Sequence, residues 1–260
     1  ELGWRIIKLY FMIGLPTETD EDLDALVELA ARVKKAGKGT QGGADVNVSV
    51  STFVPKAHTP FQWEAQIGYE ETIARQERLR GALKKKRLRL KWHDAELSFL
   101  EGVFARGDRR LGAVLEEAVK QGCRFDGWRE HFRYDLWMEA FVKAEIDPAW
   151  YLRQRLPGEI FPWEHIDAGV SRDFLVRERQ AALLGKATPD CRNGQCSDCG
   201  LCDFETVKPR LADINRLQAP ETAEPEEPTE PRLLPKLRLT LTKTGRTASL
   251  SHLEYMTLIH

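Results

Sequence analysis

At 260 residues and 29.7 kDa, the chain has room for one or two domains with connecting segments. Hydrophobic residues make up 42%, enough for a packed core, and 39 Lys and Arg nearly cancel 40 Asp and Glu, so attraction to nucleic acid or membrane must be local rather than global. No apolar stretch reaches the roughly 20 residues that span a bilayer and no basic, apolar, small-residue leader opens the chain, so the expectation is a soluble cytoplasmic protein with no membrane partner.

The run from Arg5 to Gly14 is rich in β-branched and aromatic residues, and its near-continuous apolarity predicts a strand buried on both faces of a parallel sheet. Thr19 is a good N-cap, Asp20, Glu21 and Asp22 suit a first helical turn, and Leu23, Leu26, Val27, Ala30 and Val33 recur at helical spacing. A second strand is expected from Val46 to Val54 and a second helix from about Tyr69 to Lys86. This β-α-β-α order with short turns predicts an α/β fold with adjacent parallel strands, as in a (β/α) barrel or a doubly wound sheet. The first strand needs a partner before it, and Ser251 to His260 reads as the opening of a helix, so the chain is expected to be an internal piece of a longer polypeptide.

From Leu88 onward helix-length stretches dominate, among them Leu111 to Val119 and Trp137 to Ala144, with Trp128, Trp137, Trp150 and Trp163 expected to fill gaps between helices. Pro220 to Pro231 carries four prolines and five glutamates, the composition of an extended linker. Five segments follow: sheet and helices over 1–87, a helical extension over 88–187, a cysteine-rich knuckle over 188–210, a linker over 211–235 and the start of a further domain over 236–260.

The strongest chemical signal is the C-x4-C-x2-C-x2-C run of Cys191, Cys196, Cys199 and Cys202. Two-residue spacers let neighbouring thiolates converge, so the four sulfurs are expected to share one metal centre, either tetrahedral zinc or an iron–sulfur cluster; incidental disulfides would require an oxidising compartment. Cys123, isolated in a helical region, reads as a small buried hydrophobe. Lys84, Lys85, Lys86, Arg87, Arg89 and Lys91 place six cations in eight positions. Alternation from Arg87 to Trp92 would give a strand one basic face, a candidate contact for RNA or a ribonucleoprotein, with Arg106, Arg109 and Arg110 as further contributors; the alternative is a solvated charged surface. His58, Glu164 and His165 are titratable candidates for a substrate pocket, although a lone histidine is more often a satisfied structural residue.

The stretch Tyr10-Phe11-Met12-Ile13-Gly14-Leu15-Pro16-Thr17-Glu18-Thr19 resembles the fifth strand and following turn of radical S-adenosylmethionine enzymes, and Val50-Ser51-Thr52-Phe53-Val54-Pro55-Lys56-Ala57-His58-Thr59-Pro60 resembles their sixth strand and its loop. Segments around Arg106 to Arg110, Phe125 to Trp128 and Pro162 to Asp167, with the four-cysteine run, are similar to a subgroup that couples a cobalamin-binding domain to the barrel and adds a further domain beginning much like Lys243-Thr244-Gly245. The resemblance implies the C-terminal part of a (β/α) radical SAM barrel, with Gly14, Pro16, Phe53 and Val54 beside the nucleoside end of S-adenosylmethionine. It further implies a 4Fe–4S cluster, a zinc or auxiliary cluster at the knuckle, and cobalamin. The family's C-x3-C-x2-C loop is not in these 260 residues, so the initiating cluster is expected on the remainder of the same polypeptide. The competing expectation is a zinc-stapled module that binds RNA without catalysis.

Overall fold

A computed structural model describes residues 6–37, 45–193 and 195–209; the expected linker and final domain lie outside the described residues. Three parallel strands form the sheet in the order β1-β2-β3: β1 (Ile6–Ile13), β2 (Asp45–Thr52) and β3 (Arg89–Trp92). Helix α1 (Asp20–Ala36) connects the first pair and α2 (Tyr69–Lys85) the second. The expected boundary at residue 87 therefore falls just before a third strand of the same sheet.

Capping residues define the start of α1. The Asp22 carboxylate accepts hydrogen bonds from the Thr19 amide at 2.8 Å and the Thr19 hydroxyl at 3.0 Å, and these bonds hold Asp22 below the usual carboxylate range. Side-chain alternation then sorts the sheet into two faces. Val46, Val48 and Val50 of β2 join Ile13 of β1, Leu23, Leu26, Val27 and Ala30 of α1, and Leu79 and Leu83 of α2 in one apolar core.

The opposite face is chemically different. The strand register aligns Lys8 with Asn47, Tyr10 with Ser49 and Met12 with Ser51, and then Asn47 with Arg89 and Ser49 with Lys91. This face is polar, and Tyr10 is 71% exposed on it. The expectation that β1 is buried on both faces is thus corrected: α1 and α2 cover one face, and no described element covers the other. The apolar run Ile6–Ile13 concealed the difference because Ile6 and Met12, on the open face, are as hydrophobic as the core residues beside them.

Beyond the sheet come α3 (Ala95–Ala105), α4 (Leu111–Lys120), α5 (Tyr134–Lys143), α6 (Ala149–Leu152) and α7 (Arg172–Leu183). Phe99, Val103, Leu111, Val114, Ala118, Trp137, Ala140 and Phe141 make a second core, which also buries Cys123 as expected. Trp163 packs against a third, small cluster of Trp63, Phe161 and Leu175. Trp128 and Trp150 depart from the gap-filling expectation, being 60% and 42% exposed. Trp150 instead lies against two guanidinium groups, with Arg110 4.9 Å and Arg153 4.7 Å from its ring centre.

Arg106 ties the extension to the sheet. It is fully buried and donates to the carbonyl oxygens of Glu64 at 2.8 Å and Arg153 at 3.0 Å, with a longer contact to Leu152 at 3.4 Å. Arg155, also buried, donates back to the Arg106 carbonyl at 2.8 Å. Burial, then the nearby Arg155 and Arg153 cations, push Arg106 down to about 10. Arg106 therefore adds nothing to a surface basic strip. No described helix is long and apolar enough to cross a membrane.

Candidate functional site

All three strands point the same way, so their carboxyl ends lie together, where parallel α/β sheets place ligands. The ladder continues slightly beyond the strands: the Phe53 amide donates to the Ile13 carbonyl at 2.8 Å, and the His93 amide to Val50 at 3.0 Å. At this edge a pocket of about 570 Å³ is lined by Met12, Ser51, Phe53, Val54, Pro60, Phe61 and His93, with Glu101 of α3 and Glu178 of α7. Phe53 meets Phe61 edge-on with ring centres 6.0 Å apart. Lys56 and Glu101 form an ion pair on the lining, and the Glu178 carboxylate accepts the Thr188 hydroxyl at 2.6 Å. Apolar walls with a few fixed charged groups are the usual make-up of a small-molecule site.

Of the residues the resemblance placed beside the nucleoside, Phe53 and Val54 line this pocket, while Gly14 and Pro16 do not. Pro16 lines a neighbouring hollow of about 420 Å³ between the β1–α1 turn and α1, and Met12 and Leu15 border both spaces. Gly14 shapes the turn. Its φ is +78°, and an added Cβ would stand 2.6 Å from Cδ1 of Ile67. The Gly14 amide donates to Glu18 at 3.0 Å, and Glu18 in turn pairs with Arg75 of α2, locking the turn to the second helix.

No local pattern marks Glu101, Glu178 or His93 as lining residues. They sit 40 or more positions from Phe53, on an extension whose docking no local periodicity encodes. The three titratable candidates do come together elsewhere: His58, Glu164 and His165 line a separate cavity of about 310 Å³.

The six cations do not form one strip. Lys84, Lys85 and Lys86 close α2 at the amino edge of the sheet, whereas Arg89 and Lys91 stand on its open face. All six are exposed. Lys86 pairs with Glu28 at 3.5 Å and Arg89 with Asp45 at 3.8 Å, while Lys84, Lys85 and Lys91 have no ion pair among the described residues.

In the knuckle all four cysteines are free thiols. The Asp198 amide points at the Cys196 sulfur at 3.3 Å, the kind of amide-to-sulfur bond that tight thiolate turns make, and Asp198 and Gly200 take positive φ. The Cys199 carbonyl accepts the Ser171 amide at 2.8 Å, docking the knuckle at the start of α7. The Cys202 thiol is raised, by burial first and then by the charges of Cys199, Cys191 and Cys196. Among the described residues no group of three or more His, Cys, Asp or Glu side chains is arranged to hold a metal ion. The donor chemistry and the amide-to-sulfur bond suit a thiolate site.

An uncharacterized protein of Methanocaldococcus jannaschii is 35% identical over 117 residues, which cover 45% of this chain and 24% of that protein. The matched part thus spans about a quarter of the relative's length. No known protein-family profile matches the chain. No solved structure matches it.

Proposed function

We propose that this chain contributes the last strands of a radical S-adenosylmethionine barrel, with the pocket bordered by Phe53 and Val54 receiving the nucleoside of the cofactor. The observation that carries the reading is the pairing of an apolar pocket at the carboxyl ends of β1 and β2 with a sheet whose second face is polar. A sheet that curls into a barrel turns such a face inward, toward a polar substrate. When bound, S-adenosylmethionine with a 4Fe–4S cluster held by thiolates outside these residues would supply hydrogen-abstraction chemistry. This chain's share is to bind and shield: Phe53, Phe61 and Pro60 wall the nucleoside from water, and Gly14 holds the β1 turn clear of Ile67.

In this reading Tyr10, Ser49, Ser51 and Lys91 face the substrate, and the cysteine run holds zinc or an auxiliary cluster. Cobalamin remains part of the proposal only through the subgroup resemblance. The alternative, a zinc-stapled RNA-binding module without catalysis, draws on Lys84, Lys85 and Lys91, which have no ion pair among the described residues, but their split between the end of α2 and the open face of the sheet gives it less support. The deciding experiment reconstitutes the polypeptide that joins this chain to a C-x3-C-x2-C segment and reduces it anaerobically with S-adenosylmethionine. Formation of 5′-deoxyadenosine is expected. An intact, reducible cluster that yields none would refute the proposal.

A further inference from the structure

The 161–175 segment and the loop after β2 enclose the 310 Å³ cavity, which shares no lining residue with the apolar pocket. Gln62 is its best-defined polar group. Only 5% exposed, it accepts through Oε1 from the His58 amide at 3.1 Å and from Trp163 Nε1 at 3.1 Å. Two N–H donors on one oxygen fix the orientation of the amide, because the flipped form would set its NH2 against both. Gln62 Nε2 is thus directed away from them. It has no hydrogen-bond partner among the described residues, and Gln62 lines the cavity.

Asp167, an exposed residue, lines the same cavity. Asp167 engages the Gly169 amide through Oδ1 at 2.7 Å, leaving Oδ2 without a partner among the described residues. Arg172 and Glu164 are paired with each other, and Arg172 also donates to the Pro157 and Glu159 carbonyls, so this pair builds the wall rather than waiting for a ligand. Trp163 supplies an aromatic wall, stacked on Phe161 with ring centres 4.7 Å apart and planes 8° from parallel.

An uncommitted donor on an amide of fixed orientation and a free carboxylate oxygen beside an indole select against simple ions. A bare anion would meet Asp167 and Glu164, and a bare cation would leave the Gln62 amide unused. We propose that this cavity binds a planar heterocycle by a cyclic amide edge, a carbonyl adjoining a ring N–H as in uracil or guanine. Gln62 Nε2 donates to the carbonyl, and Asp167 Oδ2 accepts the ring N–H. The inference goes beyond the cofactor reading and needs no cluster or S-adenosylmethionine, so either can fail without the other.

The test titrates the 260-residue protein with uridine, guanosine, 3-methyluridine, adenosine and the acyclic trans amide N-methylacetamide, whose C=O and N–H lie on opposite edges, followed by saturation-transfer NMR and calorimetry. Uridine and guanosine are expected to bind, with 3-methyluridine and adenosine at least about fivefold weaker, the loss of one hydrogen bond to a charged partner. Gln62→Glu keeps an acceptor for the His58 and Trp163 donors while replacing only the amide NH2, and should weaken uridine by about tenfold. Asp167→Asn, at an exposed position, keeps an acceptor for Gly169 and should weaken uridine similarly. Absence of uridine and guanosine binding, equal affinity for uridine and 3-methyluridine, or equal affinity for the acyclic amide overturns the proposal. If Gln62→Glu fails to fold, Asp167→Asn decides alone, and wild-type uridine affinity in that variant also overturns it.

Discussion

Replacing Gly14 with alanine tests the geometry at the carboxyl end of β1. A φ of +78° costs an L-residue roughly 1–2 kcal/mol, and the new Cβ would lie 2.6 Å from Cδ1 and 2.8 Å from Cγ1 of Ile67. Moving the end of that side chain off its rotamer adds on the order of 1 kcal/mol, so Gly14→Ala should destabilise by about 2–3 kcal/mol. Gly81, inside α2, provides the opposite sign: a Cβ there meets nothing within 4 Å, and Gly81→Ala should stabilise by about 0.5–1 kcal/mol. Urea unfolding of both variants, with the slope m unchanged, measures the difference. A Gly14→Ala protein within about 0.5 kcal/mol of wild type would refute the turn geometry.

Arg106→Met should cost on the order of 2 kcal/mol, since two short bonds from a charged donor contribute about 1.5–3 kcal/mol each and part is returned by removing a buried guanidinium. Arg110→Met, at an exposed position paired with the partly buried Asp108, should cost less than about 1 kcal/mol by the same melts, and equal losses would refute the assignment of Arg106 as the buried tie. Hydrogen bonds from Arg153 first, then the Leu156 amide, hold Glu159 down at about 2. A depressed acid stabilises the fold above its ordinary value near 4.5 and loses that contribution as pH falls toward about 2, so the stability difference between wild type and Glu159→Gln should shrink across that window. A difference independent of pH would contradict it. Elemental analysis of aerobic and anaerobic preparations should find either stoichiometric zinc in both or oxygen-labile iron and sulfide; four freely titrating thiols with neither metal would end the knuckle proposal.

Local chemistry carried most of the legible structure. Thr19 with Asp22 marked the start of α1, and the parallel pairing of β1 with β2 followed from two β-branched runs separated by a helix. The open polar face was visible only in β2, where Asn47, Ser49 and Ser51 alternate with valines; β1, with apolar residues on both sides, hid it. Four-residue β3 lay at the edge of what pattern resolves, because a short alternating run of cations and apolar residues is also a solvated surface. Arg106 shows the other limit: an arginine in a basic cluster reads as surface, and only the backbone carbonyls of residues 64 and 153, more than 40 positions away, make it a buried one. Of the pocket, Phe53 and Val54 were legible through motif resemblance, whereas Glu101 and Glu178 arrive with the docking of distant helices.

Photolabelling with 2-azido-S-adenosylmethionine, followed by peptide mapping, tests the central claim most directly. The label should attach within residues 51–61, around Phe53 and Phe61, and unlabelled S-adenosylmethionine should suppress it. Label that is absent, unsuppressed, or confined to residues outside the pocket at the carboxyl ends of β1 and β2 would contradict the account.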